Sequence, residues 1–358
     1  PRAKISPFRL TIFSLSINMS QITITPSQTQ FETQADETIL EAALRQGYNL
    51  PNACQSGMCG TCVAQVVSGE VQMGEYDNCA LTDEDAAAGM VLLCACHAQG
   101  DVVLDLPAYE GAKAIAPRTM PARVAHIDVR GKMALLRLAL PKSPPFKFHA
   151  GQYADILYKG AVRSYSLANA PSDNGVMEFH VRLREGGVFS PALFSGSLKV
   201  GDVLRVRAPL GAFTLNENSD KPLIFIATGT GFAPIKSLLQ HLRDTQPSRS
   251  VHIYHGARDT AGLYDEAALR ELLYQLPNAR YTPVLSRADD AWQGARGYTT
   301  EHVLQDYADL SGYEVYACGS MDMIRASKEA FTAQRGLPAA AFYCDAFTPY
   351  TARAGEAV

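Results

Sequence analysis

The stretch Cys54-Gln55-Ser56-Gly57-Met58-Cys59-Gly60-Thr61-Cys62 decides how the first third of this 358-residue chain folds. Its cysteines follow the spacing C-x4-C-x2-C, and a fourth thiol, Cys94, follows Cys62 after 31 intervening residues. This pattern is typical of a plant-type [2Fe–2S] cluster, in which four thiolates hold two irons. Gly57 and Gly60 supply the backbone freedom that a loop needs when its amides turn inward toward sulfur. The sequence therefore predicts an iron–sulfur site with Cys54, Cys59, Cys62 and Cys94 as ligands.

Other kinds of cysteine site fit this pattern less well. Structural zinc sites usually show paired C-x2–4-C knuckles, and only one such pair is present. A Rieske cluster needs two histidine ligands, which the lone Cys96-His97 neighbour does not supply. Cys96 leaves the fourth ligand open, although the predicted strand Val91–Leu93 favours Cys94. Cys79 is expected to be a bystander, and a disulfide framework belongs to short secreted chains.

The segments around the cysteines predict a compact α+β domain that ends near Leu106. Its strands are placed at Ile22–Ile24, Phe31–Thr33 and Val63–Val67, and its helix at Thr38–Gln46. Asp36 is expected to cap the start of that helix, and Gly47 is expected to end it. The first 18 residues hold an apolar stretch too short for a secretory signal, so we expect an extension without function.

Two further blocks follow with different rhythms. The first consists of short alternating strands with few helical patterns, which predicts an antiparallel barrel. These strands are placed at Arg123–Val129, Met133–Leu140, Gln152–Leu157, Val176–Leu183 and Val203–Arg207. In the second block strands alternate with helices, which predicts a parallel, doubly wound sheet. Its strands are placed at Leu223–Ala227, Val251–His255, Tyr281–Leu285 and Val315–Cys318, and its helices at Ile235–Leu242, Asp265–Gln275, Thr300–Tyr307 and Met321–Gln334.

The predicted organisation is therefore multidomain. It comprises an extension (1–18), an iron–sulfur domain (19–108), a linker (109–118), a barrel domain (119–217) and a nucleotide-binding α/β domain with a C-terminal tail (218–358). The composition, 47% hydrophobic and 19% charged, excludes disordered and fibrous classes. No apolar run reaches the length of about 18 residues that would predict a membrane span.

Charge is divided unevenly along the chain. The net charge is −4, yet Ser20–Pro107 contains 12 acidic side chains and a single basic one, Arg45. The rest of the chain is therefore mildly basic. An acidic face attracts a basic protein partner and repels nucleic acid.

Within the barrel block, Arg163-Ser164-Tyr165-Ser166 precedes Gly186-Gly187-Val188-Phe189-Ser190 by about 20 residues. A flavin needs a cation for its phosphates, an apolar face for its ring and a hydrogen-bond partner at its reactive nitrogen. We expect Arg163, Tyr165 and Ser166 to supply these in that order. The segment from Gly187 through Val188 to Ser190 offers backbone amides for a pyrophosphate, with Ser190 starting a helix. The alternative is a barrel strand with a solvated arginine.

A nucleotide site is predicted after the strand Leu223–Ala227, where Thr228-Gly229-Thr230-Gly231-Phe232-Ala233-Pro234 leads into a helix. Glycines at this point let a dinucleotide pyrophosphate lie against the helix N-terminus. Pro234 replaces the third glycine of G-x-G-x-x-G, which argues against a generic Rossmann dehydrogenase. Cys318-Gly319 closes the last predicted strand at the sheet edge where nicotinamide would meet flavin, the alternative being a small buried side chain.

In this order the motifs resemble the reductase components of bacterial ring-hydroxylating dioxygenases and related oxygenases. That family joins a plant-type [2Fe–2S] ferredoxin of β-grasp fold to a ferredoxin–NADP⁺ reductase-like module. The resemblance spans Met19 to Pro349. It rests on the four cysteines, Arg163-x-Tyr165-Ser166, the Gly229–Pro234 loop, Cys318-Gly319 and the tail Phe342–Phe347.

The resemblance implies FAD at Arg163, Tyr165, Ser166, Gly187, Val188 and Ser190. It implies NAD(P)H at Gly229, Thr230, Gly231, Pro234, Cys318 and Gly319. Cys318 would assist hydride transfer, Phe347 would lie near the flavin ring and Asp345 would handle a proton. The family also contains members with FMN and a C-terminal ferredoxin, so the N-terminal position here favours FAD. We expect NADH rather than NADPH, because Asp259 can bind ribose hydroxyls, although Arg258 and Arg287 could bind a 2′-phosphate.

Electron counting gives the expected activity. A nicotinamide delivers two electrons as a hydride and a [2Fe–2S] cluster accepts one, so a flavin is needed between them. We expect an NAD(P)H:acceptor oxidoreductase of the ferredoxin reductase type that passes electrons through FAD and the cluster to a partner oxygenase, of aromatic-ring-hydroxylating type. The alternatives are a reductase for a non-oxygenase acceptor such as a deoxysugar-forming dehydratase, a non-catalytic iron–sulfur redox sensor, and a zinc-stabilised adaptor.

The expected partner is a terminal oxygenase component or another one-electron acceptor protein. We expect neither nucleic acid nor membrane as a partner. We expect a monomer outside that complex and a cytoplasmic location, since clustered thiols indicate a reducing compartment.

Overall fold

The structure, a computed structural model, describes residues 19–347 apart from 79, 108, 110, 112–114 and 174. The extension predicted for residues 1–18 and the bystander Cys79 therefore lie outside the described residues. Three large sheets follow one another along the chain, and each matches one of the predicted blocks. The predicted three-part fold class is confirmed.

The first unit carries the four cysteines. Its elements are β1 (Ser20–Thr25), β2 (Thr29–Thr33), α1 (Ile39–Arg45), β3 (Val63–Ser68), β4 (Val71–Met73), α2 (Asp83–Ala87), β5 (Met90–Leu92), β6 (Cys96–Ala98) and β7 (Val102–Asp105). The main sheet has the order β2-β1-β7-β3-β5, with β1 and β7 parallel, while β4 and β6 form a small separate pair. The helix α1 buries Ile39, Leu40, Ala43 and their neighbours against this sheet. The result is an α+β unit in which the segment between α1 and β3 is free to form a loop.

The start of α1 corrects one sequence-based expectation. Thr38, rather than Asp36, is the N-cap. Its hydroxyl accepts a hydrogen bond from the Glu41 amide at 3.2 Å, and the Glu41 carboxylate accepts one from the Thr38 amide at 2.9 Å. This reciprocal capping box satisfies two amides at once, which a lone Asp36 cannot do. The helix ends as expected, with Gly47 at a φ of +87°.

The second unit is an antiparallel barrel. Its elements are β8 (Arg118–Arg130), β9 (Met133–Ala139), β10 (Tyr153–Tyr158), β11 (Ala161–Ser166), β12 (Val176–Arg182), α3 (Phe189–Phe194) and β13 (Val203–Leu210). The strand order is β11-β10-β13-β8-β9-β12. A bridge between Leu167 and Phe179 joins the two ends of the sheet and curls it into a barrel. The helix α3 begins at Phe189, one residue before the predicted start at Ser190.

The third unit is a parallel sheet flanked by helices. Its elements are β14 (Leu223–Thr228), α4 (Phe232–Thr245), β15 (Val251–Ala257), α5 (Glu266–Leu273), β16 (Ala279–Leu285), β17 (Ala295–Arg296), α6 (Thr299–Asp306), β18 (Glu314–Ser320), α7 (Met321–Arg335) and β19 (Phe342–Phe347). The order β17-β16-β15-β14-β18-β19 reverses direction between β14 and β18. In open parallel sheets ligands bind at the carboxyl ends of the strands at such a reversal.

The longest helix in the described part of the chain is α7, with 15 residues. Among the residues described, no helix is both long and apolar enough to cross a bilayer.

Candidate functional site

The cysteine loop, residues 53–62, brings three predicted ligands, Cys54, Cys59 and Cys62, close to the fourth, Cys94. Cys62 and Cys94 have their sulfur atoms 3.3 Å apart. Cys54 and Cys59 form a second pair, in which the hydrogen bond from Cys59 lowers the pKa of Cys54. The Gly57 amide donates to the Cys94 sulfur at 3.2 Å. The structure therefore gathers two sulfur pairs and an inward-turned amide, and this all-thiol donor set suits iron in a cluster.

Backbone conformation explains why glycines occupy this loop. Gly57 and Gly60 have φ angles of +71° and +77°, which other residues rarely adopt. A side chain on Gly57 would also meet the Glu75 carbonyl oxygen at 2.9 Å, and one on Gly60 would meet the Ala80 carbonyl oxygen at 2.8 Å. The segment after β4 therefore packs directly on the loop. Each glycine is needed for two reasons: its positive φ angle and the lack of room for a side chain.

Cys96 takes a different place from Cys94. It lies on β6, fully buried in the core of the first unit, in register with Met73 of β4. Burial raises the pKa of its thiol to about 12. No hydrogen bond to another cysteine sulfur is recorded for Cys96 among the described residues, whereas Cys94 contacts Cys62. The geometry favours Cys94 over Cys96.

A large cleft lies where the three units meet. Its volume is about 1120 Å³, at the upper end of ligand pockets, and residues of all three units line it. From the first unit come Ala53, Cys54, Gln55 and Ser56. The barrel contributes most of β11 and the segment 182–190, and the parallel sheet contributes Thr230, Ala233, Asp345, Ala346 and Phe347. We refer to this space as the central cleft.

The six residues predicted to bind FAD all line the central cleft, namely Arg163, Tyr165, Ser166, Gly187, Val188 and Ser190. Tyr165 is packed against Phe189 of α3, with the two ring centroids 5.5 Å apart. Burial raises the pKa of its phenol to about 12, so this part of the wall is apolar. The hydroxyl of Ser190 accepts from the Arg184 amide at 3.0 Å, which fixes the turn containing Gly186 and Gly187. The strand and the glycine turn thus face the same space.

Four polar side chains that sequence reasoning missed complete this wall. Asp155 of β10 accepts from Ser164 at 2.7 Å and from Arg207 of β13 at 2.8 Å. Arg182, Arg184 and Arg207 line the central cleft together with Arg163. Four guanidinium groups suit a ligand with several phosphates. The only sequence signal for Arg207 is an arginine within a barrel strand, which is ordinarily a solvated side chain.

The nucleotide loop, residues 228–231, joins β14 to α4 beside β18. A side chain on Gly231 would lie 2.1 Å from the Cys318 carbonyl oxygen, and one on Gly319 would lie 2.1 Å from the Thr228 hydroxyl. Both positions therefore need glycine for packing. Pro234 lies in the first turn of α4, where a missing amide costs nothing. Thr230 lines the central cleft. The residues that do not line it are Gly229, Gly231, Pro234 and Gly319.

Cys318 is fully buried, and burial raises the pKa of its thiol well above the ordinary value. It is not among the residues that line the central cleft, and it lies on β18 in register with Asp345 of β19. Asp345 and Phe347 do line the cleft. Burial, together with the nearby Cys54 thiol, raises the pKa of Asp345 to about 7. A direct role for Cys318 stays a prediction.

A buried charged cluster beneath the cleft was not predicted from sequence. We call Glu178, His180, Lys236, Tyr264 and Asp265 the lysine network. The Lys236 ammonium donates to Glu178 at 2.9 Å and to Asp265 at 2.6 Å. His180, which lines the cleft, is 3.3 Å from Glu178 and 3.1 Å from the Tyr264 hydroxyl. The network joins β12 of the barrel to α4 and α5 of the parallel sheet.

Comparison with known proteins gives three family matches in chain order. They are the 2Fe-2S iron-sulfur cluster binding domain over residues 22–99, the oxidoreductase FAD-binding domain over 124–215 and the oxidoreductase NAD-binding domain over 225–329. Each falls on one of the three units described above.

Individual proteins are similar over nearly the whole chain. The chain is 41% identical to CDP-6-deoxy-L-threo-D-glycero-4-hexulose-3-dehydrase reductase of Yersinia pestis, covering 90% of this chain and 97% of that protein. It is 34% identical to the phenol hydroxylase P5 protein of Acinetobacter pittii, covering 85% and 88%. Among solved structures, an Amycolatopsis cytochrome P450 reductase superposes with a TM-score of 0.77 at 34% identity, covering 92% of this chain and 99% of that one.

Proposed function

This chain belongs to the family of NAD(P)H-dependent reductases that combine FAD with a [2Fe–2S] cluster, and from that premise we propose that its acceptor is the oxygenase component of an aromatic-ring-hydroxylating system. The family carries electrons from the nicotinamide through FAD and the cluster to an acceptor protein. The acceptor is the part that needs further argument. Reductases named for phenol hydroxylase and phenol 2-monooxygenase are 34% and 35% identical to this chain, and these names support an aromatic substrate for the partner.

One observation carries the electron-transfer part of the proposal: residues from all three units line a single cleft. Cys54 lies on one side, Arg163 to Ser166 on another, and Thr230 and Asp345 on a third. A redox sensor that only binds a ligand has no need for such convergence. A zinc adaptor would need no flavin cleft at all.

The residues present fit each cofactor, and we propose these assignments. Cys54, Cys59, Cys62 and Cys94 hold the cluster. Arg163, Arg182, Arg184 and Arg207 neutralise the phosphates of FAD, while Tyr165 and Phe347 cover its ring and Ser166 offers a hydroxyl to it. When bound, the flavin takes two electrons from the nicotinamide and passes them singly to the cluster.

The protein's own part is positioning, water exclusion and proton handling. The tight contact of Gly231 with β18 fixes the nucleotide loop, so that Thr230 faces the cleft. We propose that the carboxyl of Asp345 supplies a proton at the cleft wall, because its pKa near 7 lets it change state at neutral pH. Cys318 is proposed to act from behind that wall, by packing beside Asp345 rather than by contact with the cleft.

The preference for NADH over NADPH is proposed to depend on Asp259. Its carboxylate accepts from the Gly262 amide at 3.0 Å, which fixes it at the end of β15. The Arg287 amide donates to the Arg258 carbonyl at 2.8 Å, so the two arginines lie at the same corner. An Asp259→Asn substitution should lower the ratio of kcat/KM for NADH to kcat/KM for NADPH. An unchanged ratio would show that another residue decides the preference.

A second acceptor is favoured by a separate observation. The reductase of Yersinia pestis that is 41% identical to this chain is named for a CDP-hexulose dehydrase. A deoxysugar-forming dehydratase is therefore the alternative acceptor. Purified phenol hydroxylase and purified CDP-hexulose dehydrase, each tested with this reductase, separate the two: NADH-dependent turnover of the dehydrase alone would overturn the oxygenase proposal.

The reductase function itself is tested by anaerobic titration. NADH and then NADPH are added to the purified protein while its visible and electron paramagnetic resonance spectra are followed. Bleaching of the flavin with the appearance of a reduced-cluster signal is expected. A protein that carries no flavin, or a cluster that stays oxidised with either nucleotide, would contradict electron transfer through these cofactors.

We also propose a cytoplasmic monomer outside the electron-transfer complex. All seven cysteines in the described part of the chain are free thiols, which supports a reducing compartment. Sedimentation of the purified protein at several concentrations tests the monomer, since a mass that rises above 38.7 kDa would contradict it.

A further inference from the structure

The strand β19 borders the central cleft and also packs against the cysteine loop. Side chains alternate along a strand, so Asp345 and Phe347 point to one face and Cys344 to the other. Asp345 and Phe347 line the cleft. Cys344 packs in the same apolar cluster as Ala53, Cys54 and Cys59 of the cysteine loop. One strand thus contacts both the space proposed for the flavin and the loop proposed for the cluster.

Cys344 contacts the loop through its side chain and its backbone. Its thiol donates to the Cys59 carbonyl oxygen across 3.7 Å. Its own carbonyl oxygen accepts from the Thr61 hydroxyl at 3.5 Å, and that hydroxyl is also 3.3 Å from the Cys59 sulfur. Cys344 therefore fixes the backbone of the cysteine loop and, through Thr61, the position of the proposed cluster ligand Cys59.

The barrel holds the other end of the same loop. Asn52 is fully buried, and its side-chain oxygen accepts from the Tyr153 hydroxyl at 2.9 Å. Its backbone oxygen accepts from the Ala212 amide at 3.0 Å. With the barrel fixing one end and β19 the other, Cys54 is the cysteine of the loop that lines the cleft.

We propose that Cys344 is a positioning residue for the second half of the reaction, holding the cysteine loop at the distance from the flavin that electron transfer requires. Hydride transfer to the flavin uses cleft residues, and Cys344 does not line the cleft. Loss of its thiol, which donates to the Cys59 carbonyl, therefore slows reduction of the cluster and leaves reduction of the flavin unchanged, while the backbone contact with Thr61 remains. This inference rests on the proposed function, since it presumes both cofactors in one chain.

The test compares the two electron-transfer steps in the holoenzyme. NADH is mixed anaerobically with Cys344→Ala and Cys344→Ser variants. Stopped-flow absorbance follows the flavin, and freeze-quench electron paramagnetic resonance follows the cluster. We expect Cys344→Ala to slow cluster reduction several-fold relative to flavin reduction, because the rate of electron transfer falls steeply as the two cofactors move apart. Cys344→Ser keeps a hydrogen-bond donor at this position and should stay close to wild type.

A matched control removes similar volume elsewhere in the third unit. Val303 is fully buried on α6, which packs on β15, and β14 and β18 separate β15 from β19. Val303→Ala should leave the ratio of the two rates unchanged. The proposal is overturned if Val303→Ala changes the ratio as much as Cys344→Ala does. It is also overturned if Cys344→Ala slows both steps equally or slows neither. Failure of NADH to reduce the flavin in the wild type would instead contradict the proposed function.

Discussion

At the scale of single residues, the environments of Cys94 and Cys96 separate two candidates that the sequence leaves open. Two thiols only two positions apart differ in what surrounds them. Cys94 has a sulfur neighbour and an amide donor, whereas Cys96 has an apolar core around it. Spacing alone could not decide this, because it does not show that Cys94 lies in the turn at residues 93–95 and Cys96 on the strand that follows.

Serine substitution of each proposed ligand should remove the cluster and spare the flavin. Cys54→Ser, Cys59→Ser, Cys62→Ser and Cys94→Ser are expected to lack the reduced-cluster resonance signal, because each removes one of four thiolates. NADH should still bleach the flavin in all four. Iron content and electron paramagnetic resonance provide the measurement.

The paired control is Cys96→Ala, which should keep the cluster and lose roughly 1 kcal/mol of unfolding free energy to poorer packing. Loss of iron from this variant together with its retention in Cys94→Ser would exchange the two assignments.

Asp345 gives a prediction about pH. Its pKa, raised by burial to about 7, means that the carboxyl is protonated below neutral pH and charged above it. If it donates a proton, the rate of flavin reduction by NADH should fall as pH rises through about 7. Asp345→Asn should slow this step about 100-fold, the low end for general acid catalysis, and abolish the inflection. A full-rate variant with the inflection intact would exclude the proton role.

At the scale of elements, periodicity identifies most strands and helices, and contacts distant in sequence decide the rest. The long strands of the barrel and the parallel sheet follow their apolar patterns. Short strands such as β4, β6 and β17 carry too few residues for a pattern. In β11, polar side chains that face the cleft interrupt the alternation of apolar residues that would predict a strand. The helix cap at Thr38 is local, yet two capping residues were available and only geometry separates them.

The junction between β12 and α4 gives a prediction about stability. Burial alone would raise the pKa of Glu178, but the hydrogen bond from His180 and the charge of Lys236 together lower it. Lys236→Met removes the ammonium between Glu178 and Asp265, and because Glu178 keeps Arg137 at 2.7 Å the loss of unfolding free energy should be about 1–3 kcal/mol. The double variant Glu178→Gln/Lys236→Met should be closer to wild type. Denaturant unfolding of all three proteins provides the measurement, and additive losses would contradict the pairing.

The same carboxylate sets a dependence on acid. Because the folded pKa lies below the ordinary value of 4.5, the contribution of Glu178 is complete above pH 4.5. It is lost as pH falls through the folded pKa. The wild type should therefore lose more stability below pH 4.5 than Glu178→Gln does.

At the scale of the whole molecule, the sequence identifies the order of the units but not how they meet. Every motif that resembles the family was visible in the chain, and each except Cys318-Gly319 contributes a residue to the lining of the central cleft. Arg207 and Asp155 were not predicted, because they pair across two strands of the barrel, and the lysine network was not predicted, because it joins the barrel to the third unit. The position of Cys344 beside Cys59, 285 residues away in sequence, has no local signal at all.

Uneven charge gives the prediction for the assembled protein. The acidic first unit should attract a basic acceptor, so kcat/KM for a protein acceptor should fall as salt rises from about 0.01 M to about 1 M, where the Debye length shrinks from roughly 30 Å to 3 Å. The rate of flavin reduction by NADH should change far less. Steady-state and stopped-flow measurements at matched pH test this, and equal salt slopes would contradict steering by the first unit.

The cysteine loop, which forms one wall of the central cleft, also bears on how the protein reacts with dioxygen. Reduced flavins react with dioxygen when it can reach them, and each such event turns cellular reducing power into superoxide or peroxide. Because residues 53–56 line one side of the cleft, the loop proposed to hold the cluster would also restrict the access of dioxygen to a flavin bound there. Efficient delivery and protection from wasteful oxidation thus depend on one piece of backbone staying in place.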